Sequence, residues 1–246
     1  MNVITISSFS GGVSSAVATK LCIKNIDRII YINIDDQHID TLRFVKECEK
    51  WFEKPIEIMQ SPYKTVENVC RTFRYLVGKN GSRCTDILKR RVRKEWESNN
   101  HFFNQFRYIW GMDYSKHEIE RVEKLKSAMP QHDHIFPLID QKLTKEDAHK
   151  ILNASKIKRP AMYDLGYQNN NCVGCLKGGM GYWNKIRVDF PEVFSARAVL
   201  EREIGASCIH TKKDGRIYLD ELSPDRGRMD EEIMDECGMF CEAMAI

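Results

Sequence analysis

A short segment near the amino terminus, SGGVSS at residues 10–15, could bind an anion. It lies between an apolar run that predicts a strand and a pattern that predicts a helix. Glycines let the backbone turn tightly and direct its N–H groups at an anion, and a helix N-terminus adds partial positive charge. The alternative is an ordinary strand-to-helix turn. The predicted phosphate-binding residues are Ser8, Ser10, Gly11, Gly12, Val13, Ser14 and Ser15.

Acidic residues follow the second predicted strand, at the edge of the sheet where open α/β proteins bind ligands. Asp35 and Asp36 come directly after this apolar run, with His38 beside them. A carboxylate there could hold a ribose hydroxyl, an adenine amine or Mg²⁺, so we predict that both are catalytic residues. The alternative for Asp36 is that it caps the helix that follows.

Two further groups of charged residues could contact a nucleotide. Glu118 and Arg121 lie three residues apart on a predicted helix that follows Gly111, so they share one face and form either a site or a surface ion pair. The run Lys89–Lys94 contains five cations in six residues and is either a solvated face or a phosphate-binding surface. We include Lys89 and Arg90 among the nucleotide-binding candidates and keep nucleic acid as a candidate partner of the run.

Cysteines form the second strong signal. Cys172 and Cys175 form a CxxC pair in a loop rich in Gly and Asn, and such a pair binds a soft metal or forms a redox couple. Cys84 is the predicted third ligand, with Cys208 or Cys241 as the fourth. The candidates are a closed zinc or iron–sulfur site, a three-thiolate cluster, and sulfur chemistry without metal. Three other cysteines fall in helical patterns and are predicted to be buried apolar residues, namely Cys22, Cys48 and Cys70.

Composition and charge limit the class of protein. The chain has 246 residues, of which 42% are hydrophobic and 30% charged, with a formal net charge of +3. These values indicate a globular chain with a full core and exclude an intrinsically disordered one. No secretory signal is visible, and no apolar run approaches the roughly 20 residues of a membrane span. We therefore expect a cytoplasmic protein without membrane contact, whose nine cysteines do not form structural disulfides.

The order of predicted elements indicates an α/β fold. Strands are predicted at 3–8, 29–35, 56–59 and 108–111, and they alternate with helices at 14–24, 41–52, 65–77, 85–97, 117–128 and 145–152. This alternation predicts a doubly wound, mainly parallel sheet with helices on both faces. We place a nucleotide-binding domain at residues 1–155. Residues 156–246 form a Cys-rich carboxy-terminal extension that packs on the core, with a loop at 159–182, a helix at 191–204 and a hairpin centred on Asp214.

The order and spacing of these motifs resemble the PP-loop adenine-nucleotide hydrolase superfamily, and within it the phosphoadenosine phosphosulfate (PAPS) reductase-like family. Residues 10–15 are similar to its SGGxDS pyrophosphate loop, with Ser14 where Asp is common. Residues 83–89 resemble its RxCTxxLK segment, and Gly111, Glu118 and Arg121 its G…ExxR helix. Residues 160–175 resemble its P..Y..GY…CxxC loop.

The chain also departs from the family pattern. Asn33 stands at the first Asp of the family's DTGxExxxT edge, and Cys84 stands alone where cluster-containing members carry two adjacent cysteines. Cys237 lies in an ECG triplet that resembles the family's carboxy-terminal motif, but Phe240 stands where a His is expected. The FPEVF block at residues 190–194, the hairpin and the CGMFC tail at residues 237–241 resemble a divergent, phage- or island-borne branch.

The resemblance implies an enzyme that binds an adenine nucleotide, either PAPS, adenylylsulfate or ATP with Mg²⁺. In a sulfonucleotide reductase, the thiolate of Cys237 would attack the sulfur of the nucleotide, and a thiol reductant protein would release sulfite. The alternative is an ATP pyrophosphatase that adenylates a substrate for sulfur insertion into tRNA or DNA, with a sulfur donor as partner. A third alternative is a non-catalytic nucleotide sensor. A four-iron four-sulfur cluster or zinc is the implied metal group.

Overall fold

The computed structural model describes residues 3–78, 81–100, 102 and 105–229. The strands, in chain order, are β1 Val3–Phe9, β2 Arg28–Asn33, β3 Ile56–Gln60, β4 Val77–Gly78, β5 Gly81–Ser82, β6 Gln105–Ile109, β7 Asp133–Ile135, β8 Ile209–Thr211 and β9 Gly215–Ile217. The helices are α1 Val13–Cys22, α2 Asp40–Phe52, α3 Val66–Phe73, α4 Arg83–Thr85, α5 Arg91–Asn99, α6 Lys116–Ala128, α7 Pro137–Asp140, α8 Lys145–Ala154, α9 Ala161–Asp164, α10 Met180–Asp189 and α11 Pro191–Ile204. A π-helical turn at Asp86–Arg90 joins α4 to α5, and 3-10 turns follow α1 and β9 at Ile23–Asn25 and Leu219–Glu221.

The central sheet has five strands in the order β3-β2-β1-β6-β7. Every neighbouring pair is parallel. Ile4 and Ile6 of β1 belong to a hydrophobic cluster on one face, whereas Phe9 belongs to a cluster on the other face, with α1 and α2. Apolar residues covered on both faces are what a doubly wound sheet requires, so the predicted fold class is confirmed.

The strand order reverses at β1, and this reversal defines the expected ligand site. The chain runs from β1 outward through β2 and β3, then returns to place β6 on the other side of β1. In open α/β sheets, ligands bind where the carboxyl ends of such strands separate. The glycine-serine loop follows β1 and Gly111 follows β6, so the sequence places both at this crevice.

The carboxy-terminal region packs on the sheet domain through shared apolar clusters. One cluster joins Ile34, Val69 and Leu88 to Cys172 and Leu200 of the later region. The β8–β9 hairpin confirms the turn predicted at Asp214. Helices α9 and α10 lie partly or wholly within residues 159–182, which we predicted as loop, so that part of the prediction is wrong. The predicted boundary at residue 155 stays a prediction. Among the described residues, no helix is both long and apolar enough to cross a bilayer.

Candidate functional site

The glycine-serine loop is held by a ring of hydrogen bonds among its own residues. Gly11 has a φ of +80°, a backbone conformation that favours glycine. The hydroxyls of Ser10 and Ser15 lie 2.8 Å apart, and Gly12 N–H donates to Ser10 Oγ at 3.3 Å. Ser15 Oγ in turn donates to the Gly12 carbonyl at 2.9 Å. The loop therefore presents hydroxyl and N–H donors together at the start of α1, an arrangement suited to an anion.

The side chain of Ser14, besides the clustered donors of the loop, also indicates that a ligand binds here. Its side chain is buried, and its hydroxyl has no hydrogen-bond partner within the described parts of the chain. Leaving a buried hydroxyl unsatisfied costs about 1–3 kcal/mol, so such groups usually have a partner. A phosphate oxygen bound at the loop would supply one.

Side chains from the carboxy-terminal region hold the same loop from outside. Asn170 donates from Nδ2 to the Gly11 carbonyl at 2.9 Å, and Val13 N–H donates to the Tyr163 hydroxyl at 3.3 Å. Asn170 also contacts Thr41 at the start of α2, with 3.1 Å between Nδ2 and Oγ1. Sequence reasoning placed Tyr163 and Thr41 within family motifs but missed Asn170, because asparagine is not distinctive in a loop rich in Asn and Gly.

Gly111 brings β6 into close contact with the start of α1. A Cβ atom added to Gly111 would lie 2.4 Å from Ser15 Cα and 2.5 Å from Ser15 N. These are backbone atoms at the end of the glycine-serine loop, in the first turn of α1. Gly111 therefore lets the end of β6 approach the start of α1, and this position is compatible with its predicted role at the site.

The two predicted catalytic acids differ in their surroundings. Asp36 accepts a hydrogen bond from Val66 N–H at 2.7 Å, at the first turn of α3, and its other oxygen forms an ion pair with Arg197. Asp35 is exposed and accepts a hydrogen bond from Gln60 at 2.5 Å. Both oxygens of Asp36 thus have protein partners, which favours the structural alternative for that residue. Asp35 stays the acid that is open to solvent at the end of β2.

A groove of about 490 Å³ lies between the turn that follows β2 and helix α11. Asp35, Asp36 and His38 line one side, and Phe190 and Arg197 line the other. The ring of His38 meets the ring of Phe190 edge-on, with 5.9 Å between centroids. The groove is therefore a mixed polar and apolar surface at the carboxyl edge of the sheet.

The three cysteines predicted as metal ligands converge. Cys84, Cys172 and Cys175 line one small cavity together with Lys89 and Lys177. Lys89 is nearly buried there, at 8% exposed. Three cysteines and two lysines therefore line one cavity.

The loop that carries the CxxC pair is tightly anchored. The Tyr182 hydroxyl accepts a hydrogen bond from Cys175 N–H at 2.8 Å and donates to the Cys172 carbonyl at 3.2 Å. Cys172 forms an isolated antiparallel bridge with Gln37, in the turn after β2. Val173 N–H donates to the Asp36 carbonyl at 2.8 Å. The cysteine loop is thus fixed against the same sheet edge that carries the predicted acids.

The described side chains do not form a ligand set for a metal ion. Within them, no group of three or more His, Cys, Asp or Glu residues is arranged to hold one. Cys208, a candidate fourth ligand, does not line the cavity and instead packs in the neighbouring clusters, where burial raises the pKa of its thiol. Cys241 lies outside the described residues. The zinc or iron–sulfur cluster stays a prediction.

Comparison with known proteins identifies the family. Residues 4–178 match the model of the phosphoadenosine phosphosulfate reductase domain, which is more than half of the chain. The chain belongs to this family. It is also 24% identical over 201 residues to an uncharacterized protein of Methanocaldococcus jannaschii. That match covers 76% of this chain and 45% of the relative, so the chain spans less than half of that protein. A crystal structure of a PAPS reductase from Candida auris, a phosphate complex, aligns with a TM-score of 0.47 and 12% identity over 70% of this chain and 81% of that chain.

The region matched by the PAPS reductase domain contains the charged helix residues that we proposed as nucleotide contacts. Glu118 and Arg121 form an ion pair on the first turn of α6 and are 13% and 14% exposed. Ser115 caps this helix by accepting a hydrogen bond from Glu118 N–H at 3.2 Å. The three-residue spacing thus places both charges on one face, as predicted. Their contact with a nucleotide stays a prediction.

Acidic residues of the PAPS reductase domain pair with three of the five cations of the basic run. Arg90 and Arg91 both pair with Asp86, at 3.0 and 3.3 Å. Arg93 is buried and pairs with Glu97 at 2.5 Å. Lys89 is buried, whereas Arg91 and Lys94 are exposed, so only part of the run forms a cationic surface. Nucleic-acid binding by Lys89–Lys94 stays a prediction, as does a catalytic role for Cys237, which lies outside the described residues.

Proposed function

We propose that this chain is a PP-loop enzyme of the PAPS reductase type that binds an adenine nucleotide and carries out sulfur chemistry with its thiols. One observation supports the proposal above the others. The segment that carries Cys172 and Cys175 also contributes Asn170 to the phosphate loop, so the anion site and the thiol cavity share one support. An enzyme that transfers sulfur from or to a nucleotide must hold the nucleotide site and the thiols in a fixed geometry relative to each other.

The residues around the loop suggest a division of roles. The hydroxyls of Ser10, Ser14 and Ser15 and the N–H groups at the start of α1 would bind the nucleotide phosphates. The exposed carboxylate of Asp35 would bind Mg²⁺ when ATP is the substrate, or a ribose hydroxyl in either case. Arg121, paired with Glu118, is the proposed partner of a further anionic group.

In the reductase reaction a thiolate, proposed to be Cys237, attacks the sulfur of PAPS. The new S–S bond forms while the bond between sulfur and the bridging phosphate oxygen breaks, and adenosine bisphosphate leaves. A thiol of the reductant protein then attacks the cysteine sulfur and becomes part of a disulfide, and sulfite is released with the electron pair of the broken S–S bond.

The ATP pyrophosphatase is the second candidate, and the single Cys84 and the Phe240 that replaces the expected His favour it. In that reaction a substrate oxygen attacks the α-phosphorus of ATP, and pyrophosphate leaves with Mg²⁺. Sulfur from the donor then forms a bond to the substrate carbon while the bond from that carbon to the adenylated oxygen breaks, and AMP leaves with that oxygen. The phosphate loop serves either reaction, so the products distinguish them.

Anaerobic product analysis tests the proposal. The purified protein is incubated with ATP and Mg²⁺ in one tube and with PAPS and a dithiol in the other. Sulfite from PAPS, lost in Cys237→Ser but kept in the control Cys22→Ser, would identify a reductase. AMP and pyrophosphate from ATP, unaffected by Cys237→Ser, would identify the pyrophosphatase. A protein that neither binds nor consumes either nucleotide would overturn the proposal.

A further inference from the structure

The peptide group between Gly11 and Gly12 carries an N–H group, which attracts an anion, and a carbonyl oxygen, which repels one. No cis peptide bond occurs within the described residues, so the Gly11 carbonyl and the Gly12 N–H point in opposite directions from this bond. Gly12 N–H donates to Ser10 Oγ at 3.3 Å and thus faces the hydroxyls of Ser10 and Ser15. If the peptide turned over, the carbonyl oxygen would face those hydroxyls and would repel a phosphate.

Asn170 holds the other end of this peptide. Its Nδ2 donates to the Gly11 carbonyl at 2.9 Å, and the side chain is itself buried, at 6% exposed. The second hydrogen of Nδ2 is directed to Thr41 Oγ1 at 3.1 Å, and Thr41 is buried at the start of α2. The amide is therefore fixed between two elements. Gly11 has a φ of +80° and no side chain, so its own backbone does not fix one orientation of the peptide, and the hydrogen bonds on its two sides must do so.

We propose that Asn170 is a positioning residue for phosphate binding. By keeping the Gly11 carbonyl turned outward, it directs the Gly12 N–H toward the place where the phosphate oxygens bind. The proposal rests on the proposed function, because the anion that needs this orientation is the phosphate of the nucleotide. Asn170 itself does not touch the ligand and acts through the backbone of the loop.

A matched pair of variants separates positioning from general stability. Asn170→Ala removes the hydrogen bond to Gly11 without adding charge. Asn184→Ala is the control, because Asn184 is also buried and also donates to two backbone carbonyls, at 3.0 Å to Ser223 and 2.6 Å to Arg226, away from the loop. Both variants lose comparable contacts and should unfold at similarly lower denaturant concentrations.

Nucleotide affinity is the first measurement. Calorimetric titration with ATP and Mg²⁺, and separately with PAPS, should show at least about tenfold weaker binding for Asn170→Ala, the effect of one well-aligned hydrogen bond to an anion. Asn184→Ala should bind within about twofold of the unsubstituted protein. Thr41→Val, which removes the support of Asn170 but keeps its amide, should fall between the two.

Peptide orientation is the second measurement, and it needs no nucleotide. Only two Gly-Gly steps occur in the sequence, at 11–12 and 178–179. Labelling glycine with carbonyl ¹³C and amide ¹⁵N therefore selects just the amide signals of Gly12 and Gly179 in a carbonyl-filtered spectrum. In Asn170→Ala the Gly12 signal should move and the Gly179 signal should not. In Asn184→Ala the Gly12 signal should stay in place.

The outcomes distinguish the two proposals. If Asn170→Ala keeps normal affinity, or loses affinity while the Gly12 signal stays in place, the positioning role is wrong although the nucleotide site stands. If the unsubstituted protein binds neither nucleotide, the proposed function fails and phosphate positioning fails with it. The Gly12 signal then still shows whether Asn170 orients the peptide.

Discussion

At the scale of single residues, Gly111 gives the sharpest prediction. A methyl group there would meet Ser15 Cα at 2.4 Å and Ser15 N at 2.5 Å, so the strand end and the helix start would have to separate. We expect Gly111→Ala to lower the free energy of unfolding by about 1–3 kcal/mol, as overpacking does. Because Ser15 belongs to the loop that we propose binds phosphate, nucleotide binding should weaken in parallel, which calorimetry would measure.

Gly179→Ala is the matched control for Gly111→Ala. Gly179 has a φ of −80°, and a Cβ added there meets no atom within 4 Å. The substitution should leave nucleotide affinity unchanged. If Gly111→Ala behaved like this control in both unfolding and affinity, the close approach of β6 to the phosphate loop would be wrong.

Individual site residues differ in how well the sequence predicts them. The loop serines could be predicted, because glycine and hydroxyl residues between a strand and a helix have a local physical meaning. Asn170 could not be predicted, because its role depends on a hydrogen bond to Gly11, which lies 159 residues away in the chain. Asp36 could be predicted to lie at the sheet edge, but its partner Arg197 comes from a helix near the end of the described chain.

At the scale of elements, one buried ion pair joins α11 to the turn after β2. Arg197 is 4% exposed and pairs with Asp36, and its Nε also donates to the Gly174 carbonyl at 3.4 Å. Replacing Arg197 with Met would leave the carboxylate of Asp36 buried without its counter-ion. Breaking such a pair costs about 3–5 kcal/mol, so urea unfolding should show a loss of that size.

The same helix supplies the control for Arg197→Met. Arg202 pairs with Asp220 at 2.8 Å, but both side chains are nearly half exposed. Exposed pairs contribute about 0–1 kcal/mol, so Arg202→Met should have a small effect. The double variant Asp36→Asn with Arg197→Met should be less destabilised than the sum of the single variants. Additive losses would contradict a direct pair.

Element boundaries could be predicted where the apolar pattern is simple. The strands β1, β2 and β3 and the helices α2, α6 and α8 lie within a few residues of their predicted ranges, because their apolar residues follow a strand or helix period. Helix α10 was missed because its buried residues include four in succession, at 181–184, so the helix has no amphipathic period. The edge strand β7 has only three residues and carries almost no pattern.

At the scale of the whole molecule, several of the described cysteines are buried in the cluster that joins the two regions. Burial raises the pKa of Cys70 to about 12, and the neighbouring Cys84 adds to this effect. The ordinary value for a thiol is 9.0. Burial likewise raises the pKa of Cys208 well above that value. The chain thus has thiols that stay protonated in the fold at a pH where the unfolded chain ionises.

This difference predicts how stability depends on alkaline pH. Between pH 9 and about 12 the unfolded chain releases the proton of Cys70 while the folded chain keeps it. Since the folded state then binds more protons, its stability falls as the pH rises, by up to about 1.4 kcal/mol per pH unit for one thiol. Below pH 9 this contribution is constant. Chemical denaturation from pH 7.5 to 10.5 under reducing conditions would measure the slope.

Cys70→Ala isolates the contribution of one thiol from that of every other group that titrates in this range. The variant should be less stable at pH 7.5, because it loses buried volume in the cluster with Val69 and Leu88. Its stability should fall less steeply above pH 9, so its curve should approach that of the unsubstituted protein by about 2 kcal/mol at pH 10.5. Parallel curves would mean that Cys70 ionises as readily in the fold as in the unfolded chain, and that water reaches the cluster joining the sheet to the cysteine loop.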